Sequence, residues 1–160
     1  MGTSSTLVGS TENFMAKKHK EEDVWGNAFD TIESKVEAAC LAAGRKKRVI
    51  YSAYDSDEED NPIDNLDEVA VEGKVVLIGE KDDFYGGEES KSYVSEVLEN
   101  PTWLQVTVCA NAMIRRTRDL HHVFLEGLDE HPMVGSRKLE EKINELESQG
   151  IKVYAFSMGS

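Results

Sequence analysis

Two cysteines, Cys40 and Cys109, are the only thiols in the chain, and they stand far apart. So sparse a set excludes a disulfide framework and suits free thiols in a reducing, cytoplasmic setting. Long apolar runs are missing too. No stretch approaches the roughly 18 apolar residues of a membrane-spanning helix. The N-terminus lacks the basic-then-apolar pattern of a secretory signal. No internal repeat stands out. Bases are also in short supply, with 18 Lys and Arg against 31 Asp and Glu and a net charge of −13. Repulsion from phosphate argues against general nucleic-acid binding.

The deficit of bases is local. Segment 55–68, "DSDEEDNPIDNLDE", carries eight acids and no base, so it holds −8 of the −13 and leaves −5 for the rest. Asp55, Asp57, Glu58, Glu59 and Asp60 form its densest part. The composition suggests a calcium loop, but Pro62 occupies the place where an EF-hand needs glycine, and Asp64 stands where an apolar residue belongs. An EF-hand is therefore rejected. A solvated, mobile loop is expected, and it offers a surface for a partner protein.

With 160 residues, 39% of them apolar, the chain suffices for one domain. Residues 1–20 are expected to be a flexible leader and 21–160 a single domain with the acidic loop at 55–68. Residues 21–44 read as an amphipathic helix, with Trp25, Phe29, Ile32, Val36, Cys40 and Ala43 on one face and Gly44 as the stop. The "RKKR" of 45–48 complements the negative helix end. "RVIYSAY" (48–54) has strand composition. "EVAVEGKVVLIGE" (68–80) is a hairpin or one bulged strand. "KDDFYGG" (81–87) reads as a loop, with the glycine pair of "FYGGEES" as a turn, and 88–100 as a short helix. A strand over 120–128, a helix over 136–150 opened by Ser136 and stopped by Gly150, and a terminal strand over 151–158 complete the chain. The order is neither steady β-α alternation nor all-β. The expected class is α+β, a mostly antiparallel sheet of four to five strands packed by about four helices.

"VTVCANAMIRRTRDLHHVF" (106–124) is the stretch richest in reactive groups. Cys109 and Arg115 have the Cys-x5-Arg spacing of cysteine-dependent phosphatases, in which a thiolate attacks phosphorus and the arginine clamps its oxygens. Asp82 or Asp83 would then be the general acid. The intervening "ANAMI" has no glycine to let the backbone close on a phosphate. Helical spacing of Trp103, Val106, Ala110, Met113 and Thr117 competes with strand alternation over 104–109. With Asn100 as N-cap and Pro101 at the first position, a helix over 102–118 is preferred, and Cys109 becomes a small buried hydrophobe.

His121 and His122 are followed by Glu126, Asp129, Glu130 and His131. On a strand the pair would point to opposite faces, one inward. No ligand set at fixed spacing accompanies them, so no metal and no cofactor is expected. A pocket lined by His121 or His122, Glu126, Trp103, Tyr51, Tyr54 and Tyr154 is the ligand-binding or enzymatic alternative. The leading expectation is a small acidic soluble domain without catalytic activity that acts on another protein. The C-terminal strand could also pair across a homodimer.

Overall fold

The computed structural model describes residues 9–81, 91–130 and 132–160, with side chains from residue 26 onward. Asp82, Asp83, the glycine pair at 86–87 and His131 lie outside the described residues, as does the side chain of Trp25. The elements are helix α1 (Gly9–Ala42), strands β1 (Ile50–Tyr51), β2 (Asp55–Ser56), β3 (Pro62–Ile63), β4 (Lys74–Glu80), β5 (Ser92–Val94) and β6 (Leu98–Glu99), helix α2 (Trp103–Thr117), strand β7 (Phe124–Glu130), helix α3 (Arg137–Ser148) and strand β8 (Lys152–Gly159).

The class is α+β as expected, but three corrections apply. The main sheet has six strands in the order β1-β7-β8-β4-β5, with β6 also on β4. It is mixed, because β1 runs parallel to β7 and β4 parallel to β8. Three helices are described instead of four, since the expected helix over 88–100 is replaced from Ser92 onward by β5 and β6. Helical spacing there was misleading: Tyr93 packs against the core while Val94 is exposed, an alternation set by pairing with β4, and Val97 is exposed between β5 and β6.

β4 explains the mixed character. Its run "VVLI" is buried on both faces, with Val75 and Leu77 toward α1 and α2, and Val76 and Ile78 toward α3. A strand buried on both sides carries continuous apolar residues and no alternation. Ile32, Val36 and Cys40 of α1 and Val106, Ala110 and Ile114 of α2 fill one layer. Leu139, Ile143 and Leu146 of α3 fill the other against Val76, Ile78 and Val153. Full burial of each large side chain contributes roughly 1.5–3 kcal/mol.

The helix ends follow the chain's punctuation, with two exceptions. Gly44 and Gly150 both take φ of +80° and close Schellman turns, through Arg45 N to Cys40 O at 3.0 Å and Ile151 N to Leu146 O at 3.1 Å. Ser136 caps α3 by accepting from Leu139 N. α1, however, begins at Gly9, inside the segment read as a leader. At α2 the cap is Thr102, not Asn100. The Thr102 side chain accepts from Gln105 N, and the Gln105 side chain accepts from Thr102 N. Asn100 instead sits at φ +46° and binds Gly73, its side-chain oxygen accepting from Gly73 N at 2.6 Å.

Candidate functional site

The expected pocket residues do not line one cleft. Tyr51 is fully buried, stacks obliquely on Trp103 with ring centroids 6.3 Å apart, and donates to the Asn65 side chain at 2.6 Å. Those two aromatics are structural. Tyr154 packs against the same core cluster but lines a separate hollow with Lys152 and Glu147. Glu126 is exposed at the β7–β8 bulge, over Gly159. The histidine pair is not on a strand. β7 begins only at Phe124, and both imidazoles lie in the turn that follows α2, exposed to solvent. Arg118 forces that turn with φ +59°, its N–H bound to Ile114 O.

Of the two histidines, His122 lines a cleft. Pairing between β4 and β8 ends at Ile78 and Ala155, yet β8 continues to Gly159, so among the described residues its end overhangs β4. A cleft of about 370 Å³ opens there, at the carboxyl ends of this parallel pair. Its apolar lining includes Ile78, Met113, Leu139, Phe156 and Met158, with Met133 and Val134 beside it. Glu80, Asp119, His122, Asp129 and Ser157 supply the polar groups. No Lys or Arg lines it among the described residues.

Asp119 organises the polar rim. Its carboxylate takes His121 N at 3.3 Å and faces His122 Nδ1 at 3.0 and 3.1 Å. The side chain of Asp119 is 15% exposed and that of His122 48%, so the acid is anchored while the imidazole reaches outward. Glu80 accepts from Gly135 N at 2.6 Å and thereby holds the loop before α3 against the sheet. Asp119 carried no distinct signal in the sequence beyond its place three residues before His122.

Cys109 and Arg115 lie on one helix and not on a phosphate-cradling loop. Cys109 sits mid-helix in α2, and six residues of helix place Arg115 about 240° around the axis. Burial pushes the Cys109 thiol above its ordinary value, against the Tyr93 hydrogen bond that lowers it. Arg115 is exposed and donates to Lys46 O at 3.2 Å.

Part of the acidic segment, expected to be a loop, pairs as two short strands. β2 and β3 form a two-stranded hairpin, with Asp55 opposite Ile63 and Ser56 opposite Pro62. Asp57 builds the turn, accepting from Glu59 N at 2.8 Å, Asn61 N at 2.9 Å and Asn61 Nδ2 at 3.2 Å. The bond from the Asn61 backbone, joined by the others, holds the Asp57 carboxyl below its ordinary range. Burial acts to raise Asp64, but its hydrogen bond and ion pair with Lys35, joined by the bond from Leu66 N, together hold it low. Asp55, Asp57, Glu58, Glu59 and Asp60 remain exposed.

A buried tether went unread in the sequence. Asn111 is 1% exposed, and its oxygen accepts from Arg48 N at 2.6 Å and Val49 N at 3.2 Å while Nδ2 donates to Lys46 O at 3.1 Å. An asparagine in the middle of an apolar helix face was the available signal.

Among the described residues no three of histidine, cysteine, aspartate and glutamate gather to hold a metal ion. No described helix is long and apolar enough to cross a membrane. No family model, curated protein or solved structure matches this chain.

Proposed function

We propose that the chain is a small binding domain whose ligand seats in the cleft at the carboxyl ends of β4 and β8. The observation that carries this reading is the position of His122. Its ring is oriented by Asp119 and stands at the rim of a largely apolar hollow. Ligand sites of this kind combine an apolar floor with a few fixed polar groups, and in open sheets with parallel strands they favour the carboxyl ends. The acids of the lining favour a ligand that is cationic or donates hydrogen bonds. Titration with hexylamine, hexanol and hexanoate, followed by amide and methyl NMR, tests it. Saturable shifts at Phe156, Met158 and His122, strongest for hexylamine, are expected. The absence of saturable shifts with all three would remove the reading.

A second reading is favoured by the ordered hairpin. Fixed exposed carboxylates at Asp55, Glu58, Glu59 and Asp60, beside the 46%-exposed Ile63, suit contact with a basic face of a partner protein. Neutralising these four acids should abolish a salt-sensitive capture that the parent chain makes. Equal capture by both proteins would eliminate this surface. The free thiols Cys40 and Cys109 suit a reducing, cytoplasmic setting for either role.

A further inference from the structure

We propose that the cleft binds a soft monovalent cation, Cu(I), through the thioethers of Met113, Met133 and Met158 and the Nε2 of His122. This deepens the ligand-binding reading of the same cleft and rests on it. The chain contains five methionines, and three of them, from α2, the loop before α3, and β8, line this one hollow with His122. Thioethers are weak ligands for hard ions and select soft ones such as Cu(I). Met113 is buried and its sulfur accepts from Thr117 Oγ1 at 3.7 Å, so it is the fixed member, and the rotatable side chains of Met133 and Met158 are the ones that would converge on it.

His122 is already arranged as a metal ligand. A ligating histidine commonly gives its other ring N–H to a carboxylate, which fixes its orientation and raises its basicity. Here Asp119 takes Nδ1, and among the described residues no hydrogen bond engages Nε2. Met133 is 99% exposed, the most exposed of the large apolar side chains, and it stands at the mouth where an incoming ion would meet it. Three thioethers and a neutral imidazole add no charge, so the nearby carboxylates of Asp119 and Asp129 balance a monovalent cation. A hard divalent ion would need several free carboxylate oxygens together, and Glu80 already spends one on Gly135 N.

The test uses silver(I) nitrate as a redox-inert probe on the full chain labelled with methyl-¹³C methionine. One equivalent is expected to move the methyl signals of Met113, Met133 and Met158 and the ring signals of His122. The same shifts should persist in a Cys40→Ala/Cys109→Ala variant, which removes competing thiols. Met133→Leu/Met158→Leu, which keeps side-chain volume, should weaken binding at least about tenfold, and Asp119→Asn about tenfold. Silver held only by the thiols, with methionine methyls unmoved, would overturn the proposal. So would zinc(II) displacing silver from the methionines at equal concentration. If silver fails while hexylamine still titrates the cleft, the cation assignment falls and the ligand-binding reading stands. If both fail, both fall.

Discussion

Met113 lies directly against Gly79: a β-carbon at residue 79 would sit 2.9 Å from the Met113 sulfur. Glycine at the end of β4 is therefore what lets α2 close onto the sheet beside the cleft. Gly79→Ala should destabilise the chain by about 1–3 kcal/mol through overpacking and should displace the Met113 side chain. Chemical denaturation and the Met113 methyl signal are the measurements. Unchanged stability with an unmoved methyl would show that the contact is not limiting.

Asn111 ties α2 to the strand entry at 46–49. Asn111→Ala strands the buried Val49 N–H and removes three hydrogen bonds. A loss of about 2–3 kcal/mol is expected from groups left unsatisfied. Hydrogen exchange at Val49 should accelerate in step. A variant as stable as the parent would show that water replaces the tether at no cost.

The Cys109 thiol should be sluggish. Burial raises it above the ordinary thiol value of 9.0, so little thiolate exists at neutral pH. Iodoacetamide should label Cys109 in the folded chain at least about tenfold more slowly than in denaturant. Rapid labelling of the folded protein would revive a reactive role for this residue.

Acid should loosen the hairpin late. The Asp57 carboxyl is depressed in the folded state below its ordinary 3.8. Its contribution is therefore complete above 3.8 and is lost as pH falls through the lower folded value. Amide shifts of Glu59 and Asn61 should stay constant down to that window and then move together. In Asp57→Ala the hairpin should be loose at every pH. Movement of both amides well above 3.8 would show that another group controls the turn.

The chain's punctuation was legible. Gly44, Ser136 and Gly150 act locally, through φ and through hydrogen bonds to residues a few positions away, so sequence spacing suffices to read them. The helix at α2 could be read for the same reason, and with it the place of Cys109 within a helix. Its cap could not. Asn100 and Thr102 are both good caps, and the choice fell to Gly73, a residue distant in sequence that claims Asn100. The helix expected over 88–100 failed similarly, because β4 offers Tyr93 and Val94 strand partners that intrinsic spacing does not reveal.

The site was less legible still. His122 was singled out, but for a strand that begins two residues later, and it was grouped with Tyr51 and Trp103, which belong to the core. What joins His122 to Met113, Met158 and Phe156 is the overhang of β8 beyond β4, a matter of sheet register.

By itself the sequence determined the class of the chain, the glycine helix stops, the concentration of acid over 55–68 and the helical setting of Cys109, since these depend on composition and on neighbours within a turn or two. The tertiary structure alone decided the parallel pairing of β4 with β8, the pairing of β2 with β3 in the acidic segment and the cleft that His122 shares with three methionines. Those features depend on contacts between residues dozens of positions apart, where local propensity is silent and packing chooses.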